Sequence, residues 1–139
     1  MEIRSTQNTD EDPEIPIRPG WEGMHVWWLI TRDSAESDTL VVDETEIPAN
    51  KWHEVHRHPH AEEAMYILEG SGLHLTEEGS HRLTKGDVVF VPRNEWHGFA
   101  NDTDLPVRVI GIFGGVSAYA DAGYDIHPEQ PAHARPETV

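Results

Sequence analysis

The 139-residue chain contains no cysteine. That absence excludes disulfides, thiolate metal ligands and a cysteine nucleophile, so any chemistry falls to histidine, carboxylate or hydroxyl groups. Lysine is nearly missing too: Lys51 and Lys85 are the only two, and 10 basic residues face 26 acidic ones for a formal net charge of −16. The resulting field repels phosphate backbones and anionic lipid surfaces, which argues against nucleic-acid and membrane partners. An acid-rich, lysine-poor surface suits either simple solubility or a high-salt host. No apolar run approaches the roughly 18 residues that cross a bilayer, and the opening MEIRSTQNTDEDPEIP has no apolar leader core. A cytoplasmic location is therefore the expected default.

Helix signals are also scarce. From Met24 onward the chain offers short runs of Val, Ile, Leu, Trp and Tyr, broken by Gly, Asn, Asp and Pro, a pattern of closely spaced strands. Strands are expected at 25–31, 39–47, 52–58, 63–68, 72–77, 87–91, 96–101 and 106–113, with one short helix after Ser117 that ends near Gly123. Eight short strands and almost no helix predict an all-β fold, an antiparallel sandwich or barrel with a jelly roll among the leading options. The length suits one domain. Residues 1–20, acid-rich and interrupted by Pro13, Pro16 and Pro19, read as an extended arm. The folded domain is placed at 21–126 and a C-terminal tail at 127–139.

His56 and His58 are two residues apart, and on a strand that spacing puts both imidazoles on one face. Glu63 opens the next strand-like segment and His97 follows another, so an antiparallel arrangement can bring a carboxylate and a third imidazole to the same cavity. Three neutral nitrogens and one carboxylate oxygen suit one divalent first-row transition metal: Mn, Fe(II), Co, Ni or Zn.

These residues resemble the cupin family. Its first motif runs Gly, five residues, His-x-His, three or four residues, Glu, six residues, Gly, and NKWHEVHRHPHAEEAMYILEG places His56, His58, Glu63 and Gly70 at those spacings. Its second runs Gly, five residues, Pro-x-Gly, two residues, His, three residues, Asn, matched in GDVVFVPRNEWHGFAN by Gly86, Pro92, His97 and Asn101. A fixed position matches by chance about one time in twenty, so eight in order are not accidental. Asn50 and Asn94 stand where the motifs have Gly; asparagine tolerates the left-handed backbone that such turns need. The resemblance implies a cupin-type jelly-roll β-barrel (a double-stranded β-helix) with His56, His58, Glu63 and His97 as metal ligands, Fe or Mn being preferred.

Other readings carry less. A register using His58 and His60 loses the spacing to the glutamates, and Pro59 marks the end of the strand. His60 is kept as a candidate catalytic base. His53 has the opposite strand parity to His56 and is expected to face outward. No G-x-S-x-G elbow occurs, and neither the GGVS stretch at 114–117 nor Gly70-Ser71-Gly72 has a phosphate-loop lysine. On VRVIGIF, Phe113 facing the barrel puts Arg108 outside, the preferred reading; the minority reading makes Arg108 an anchor for an acidic substrate. Trp27, Met65, Phe99 and Phe113 are the expected pocket walls, and Tyr119 and Tyr124 the expected barrel cap.

The implied function is a metal-dependent enzyme acting on a small organic substrate, an Fe(II)-type dioxygenase being the first expectation. A redox-neutral Mn, Ni or Zn isomerase, lyase or decarboxylase is the alternative, followed by a non-catalytic small-ligand or sensor protein. A homodimer is expected through the N-terminal strand, since adjacent Trp27 and Trp28 require cover on both faces.

Overall fold

Alternation along Leu40–Ile47 sets the frame of the molecule: Val41, Asp43, Thr45 and Ile47 turn inward and are buried, while Leu40, Val42, Glu44 and Glu46 turn out. The computed structural model describes residues 1–131. Among them ten strands run β1 (His25–Ile30), β2 (Leu40–Ile47), β3 (Trp52–Arg57), β4 (Glu62–Glu69), β5 (Ser71–Leu75), β6 (Ser80–Thr84), β7 (Val88–Val91), β8 (His97–Ala100), β9 (Val107–Gly114) and β10 (Asp125–Ile126). They form two antiparallel five-stranded sheets, ordered β1-β2-β9-β4-β7 and β10-β3-β8-β5-β6. The inner faces of these sheets enclose the core, which is the jelly-roll barrel expected from the strand pattern.

Register places inward side chains in rows. One row of the first sheet reads Val41, Phe113, Glu63, Val91; the next reads Trp28, Asp43, Gly111, Met65, Val89. Val26, Ile47, Ile67, Val107 and Val109 fill the core beside them. The outer face of the same sheet carries Trp27, Glu44, Ile110, Tyr66 and Val88 in one line.

The 3₁₀ turn Ile15–Ile17 and the two-residue β10 are additions to the sequence expectation, and three further elements differ from it. A four-residue helix, α1 (Arg32–Ala35), follows β1; Thr31 and Ser34 form a reciprocal capping box there, so end caps and not apolar periodicity hold it. The expected helix after Ser117 is a single 3₁₀ turn, Tyr119–Ala122. Strand β6 escaped notice because SHRLT lacks apolar alternation; it exists by pairing with β5 at the sheet edge.

Segments on either side of the strands, around Asp12–Ile15 and at Gln130, pack against the barrel. Ile15 is 1% exposed within the main core, and the Trp28 indole N–H donates to Asp12 at 3.0 Å, so the segment expected as an arm packs along β1. At the other end Gln130 reads the backbone of Val55 as a strand would: its amide accepts from the Val55 N–H and donates to the Val55 carbonyl, each at 2.9 Å. Most of the expected tail, residues 132–139, lies outside the described residues. Asn50 and Asn94 adopt φ of 60° and 68°, the left-handed backbone that lets asparagine replace glycine.

Candidate metal centre

His56 of β3 stands directly opposite His97 of β8 in the ladder, and both imidazoles enter the barrel. His58 follows β3 by one residue and turns inward beside them. The candidate ligand nitrogens of these three buried histidines all lie within 4.8 Å of one another. Each ring is clamped from behind by a backbone carbonyl: Nδ1 of His56 faces the Glu54 oxygen at 2.6 Å, that of His58 the Gly123 oxygen at 2.7 Å, and that of His97 the Glu95 oxygen at 3.0 Å. A carbonyl accepts only, so each Nδ1 carries the proton and each Nε2 presents its lone pair inward, the arrangement that orients metal-binding imidazoles.

Glu63 reaches the cluster from β4 of the other sheet. Its Oε1 lies 2.9 Å from Nε2 of His97 and 3.7 Å from Nε2 of His58. Even so, Glu63 Oε1 and His97 Nε2 are buried without a well-aligned hydrogen bond. The mutually close nitrogens are those of the three histidines, and the Glu63 carboxylate beside His97 and His58 completes an N₃O donor set that suits a first-row divalent ion. Burial holds His56 well below the ordinary imidazole range and His58 below it, so both favour the neutral form that ligates. For His97 burial acts downward as well, but the Glu63 carboxylate outweighs it and raises the group; burial pushes Glu63 up, and His97 more than offsets it.

The cluster opens into a cavity walled by Trp21, Trp28, Met65, Phe99, Phe113 and Tyr119. Met65, Phe99 and Phe113 thus stand where the sequence puts pocket walls. Trp27 does not: it lies on the outer face, 5.3 Å from the Arg108 guanidinium, and Trp28 takes the inward position. Arg108 is outside as well, paired with Glu44. His60, the candidate base, is exposed and lies outside the lining of this cavity. The additional imidazole in the cavity lining is His53, which strand parity turns outward; an irregularity in the β3–β8 register between His53 and His56 reverses its face. Its Nδ1 contacts the Gly20 carbonyl at 3.1 Å, and burial pulls its pKa down to about 3.

Sequence reasoning also passed over Asp43 and Thr45, which line the same cavity. Their signal was two polar residues sharing the parity of Val41 and Ile47. The lining contains no Arg or Lys among the described residues.

The chain matches the Cupin domain family over residues 43–113, or 71 of its 139 residues. A tetracenomycin polyketide synthase protein, TcmJ of Streptomyces glaucescens, is 25% identical over 111 residues, spanning 78% of this chain and 74% of the relative. Two other curated relatives are spanned over about half their length, 45% and 50%. Among solved structures, the polyketide cyclase RemF of Streptomyces resistomycificus superposes with a TM-score of 0.76 at 22% identity, covering 94% of this chain and 89% of that one. A predicted oxalate decarboxylase of Thermotoga maritima gives 0.72 at 16% identity, over 83% and 100%. These neighbours share the barrel, no described helix is long and apolar enough to cross a membrane, and the motif-bearing half of the chain matches the family directly: this protein belongs to the cupins.

Proposed function

We propose that this cupin is a metal-dependent enzyme of redox-neutral carbon–carbon chemistry, closing a ring in a neutral, oxygen-rich aromatic or polyketone substrate. The observation that carries this reading is the lining of the cavity. Beyond the ligands it offers aromatic walls, carboxyl and hydroxyl groups, and no cationic side chain among the described residues, so a free carboxylate or phosphate finds no protein counter-ion there. A flat, uncharged molecule bearing carbonyl or phenolic oxygens matches that surface. The polyketide associations of TcmJ and RemF support the same substrate class.

His56, His58, Glu63 and His97 are the residues that would hold the metal. Mn, Fe, Co, Ni or Zn bound by them supplies Lewis-acid stabilisation of negative charge developing on a substrate oxygen. Trp21, Trp28, Phe99 and Phe113 keep the reacting region apolar and orient a planar ring. An Fe(II)-type dioxygenase uses the same ligands and differs in consuming oxygen. Protein loaded in turn with Mn, Fe, Ni and Zn is given linear polyketone and hydroxyaryl ketone substrates while products and dissolved oxygen are followed. A cyclised product without oxygen uptake is expected; oxygen consumed in step with turnover would establish the dioxygenase instead.

A further inference from the structure

One buried carboxyl in the cavity is not used by the metal centre. Asp43 is 5% exposed, projects from the inner face of β2, and belongs to the sheet opposite His56 and His97. It sits one inward row from Glu63 and two strands across, with Trp28 on one side and the bare backbone of Gly111 on the other. No hydrogen bond or ion pair joins it to the histidines among the described residues. Thr45 donates its hydroxyl to Oδ1 at 2.7 Å, which fixes the carboxyl plane. Oδ2 lies over Gly111, where any Cβ would stand 2.4 Å away, so the absence of a side chain keeps space for that oxygen.

Burying a carboxyl among Trp28, Met65 and Phe113 is costly, and a purely structural position would favour an apolar residue. Burial lifts the Asp43 pKa to about 7, with the Glu63 charge adding to it and the Thr45 and Gly111 hydrogen bonds opposing it; Glu44, on the outer face of the strand, adds slightly. Tyr119 lines the same cavity. A group poised near neutrality exchanges protons in either direction at little cost.

We propose that Asp43 is a catalytic acid–base residue, positioned by Thr45 and Gly111, that moves the proton of a carbon acid held at the histidine cluster. This rests on the redox-neutral reading above. The carboxylate takes a proton from a carbon beside a carbonyl: the C–H bond breaks, its electron pair moves into the carbonyl to leave an enolate, and an O–H bond forms on Asp43. The enolate carbon attacks a second carbonyl of the same substrate, and the proton on Asp43 passes to the alkoxide that results. One C–C bond forms and nothing is oxidised or reduced.

The test uses the full chain loaded with zinc and 2′-hydroxyacetophenone as probe. Binding is read from tryptophan quenching, since Trp21 and Trp28 line the cavity, and proton abstraction from methyl H/D exchange followed by NMR in D₂O. Asp43→Asn is expected to bind the probe within about threefold of wild type and to lose exchange by about a hundredfold or more. Thr45→Val keeps the carboxyl and loses the donor that favours its ionised form, so its exchange rate should reach half-maximum at higher pH than wild type. This second variant carries the test if Asp43→Asn fails to fold. Undiminished exchange in folded Asp43→Asn, or an unshifted Thr45→Val profile, overturns the role of Asp43 and leaves the ring-closing reading standing. Wild-type exchange no faster than that of metal-poor His97→Ala overturns both.

Discussion

The Asp43 carboxyl fills the space that a side chain at Gly111 would need, Oδ2 lying 2.4 Å from the position of the missing Cβ. The two residues are therefore one packing unit. Gly111→Ala is expected to rotate the carboxyl off Thr45 and to destabilise the barrel by about 1–3 kcal/mol. In an Asp43→Ala background the same change should cost clearly less, and a double-mutant cycle by denaturant unfolding reads the difference. Additive effects would separate the two residues.

Ligand removal should act on the metal and spare the frame. His97→Ala removes one of three mutually close imidazoles from a barrel whose core clusters do not include it. Metal per chain, measured by elemental analysis after equilibration with limiting metal, is expected to fall steeply, while the far-ultraviolet circular dichroism of the metal-free protein stays unchanged. A variant still holding one metal per chain would count against His97 as a ligand.

Metal retention should extend to lower pH than free imidazoles allow. Protons and metal compete for Nε2, and burial holds His56 and His58 below their ordinary value near 6.5. His56 and His58 stay neutral as pH falls through that value, while His97, raised by Glu63, takes a proton first, so one ligand weakens before the other two and complete release needs further acidification. Bound metal measured after desalting across a pH series checks this; release already complete above pH 6.5 would contradict it.

Asp43 gives stability the opposite pH sign. Its folded pKa, near 7, is raised above the ordinary 3.8, so between those values the folded chain binds the extra proton and wild-type stability declines as pH rises. Asp43→Asn lacks that decline. Its melting temperature relative to wild type is expected to climb from pH 5 to pH 8; a difference independent of pH would refute the assignment.

Asn101 is fully buried and ties the end of β2 to the loop that leads into β9. The two hydrogens of its amide nitrogen are shared among the carbonyls of Ile47, Pro48 and Leu105, and its oxygen accepts from the Thr103 N–H and hydroxyl. Asn101→Ala strands these groups and should cost about 2–4 kcal/mol, read as a lowered urea midpoint with unchanged slope.

The strand pattern and the motif spacings made the barrel and its histidines legible, because alternation and His-x-His parity are local properties. What failed was parity carried across an irregularity. His53 was turned outward by counting back from His56, and the register shift between them is set by pairing with β8, which no local pattern records. Trp27 and Trp28 illustrate the complementary limit: an adjacent aromatic pair puts one ring on each face of the strand but does not say which one enters the cavity. Asp43 was readable, as a polar residue at an apolar parity position, yet its neighbour Gly111 became meaningful only when the β2–β9 register put the two side by side. His60 looked chemical by composition alone, and the turn after Pro59 carries it to the surface.

The clamp on His58 has a consequence for the far end of the chain. The carbonyl that orients this ring belongs to Gly123, a few residues before the stretch that β10 and Gln130 fasten to β3. Orientation of the ring and docking of this stretch are two descriptions of one equilibrium, so by reciprocity whatever strengthens one strengthens the other. Filling the centre should slow hydrogen exchange at the amides of His60 and His127, which donate to Ala122 and Val55, and loosening the stretch after Gly123 should weaken the grip on the ion. The C-terminal segment thereby acts as a reporter of occupancy.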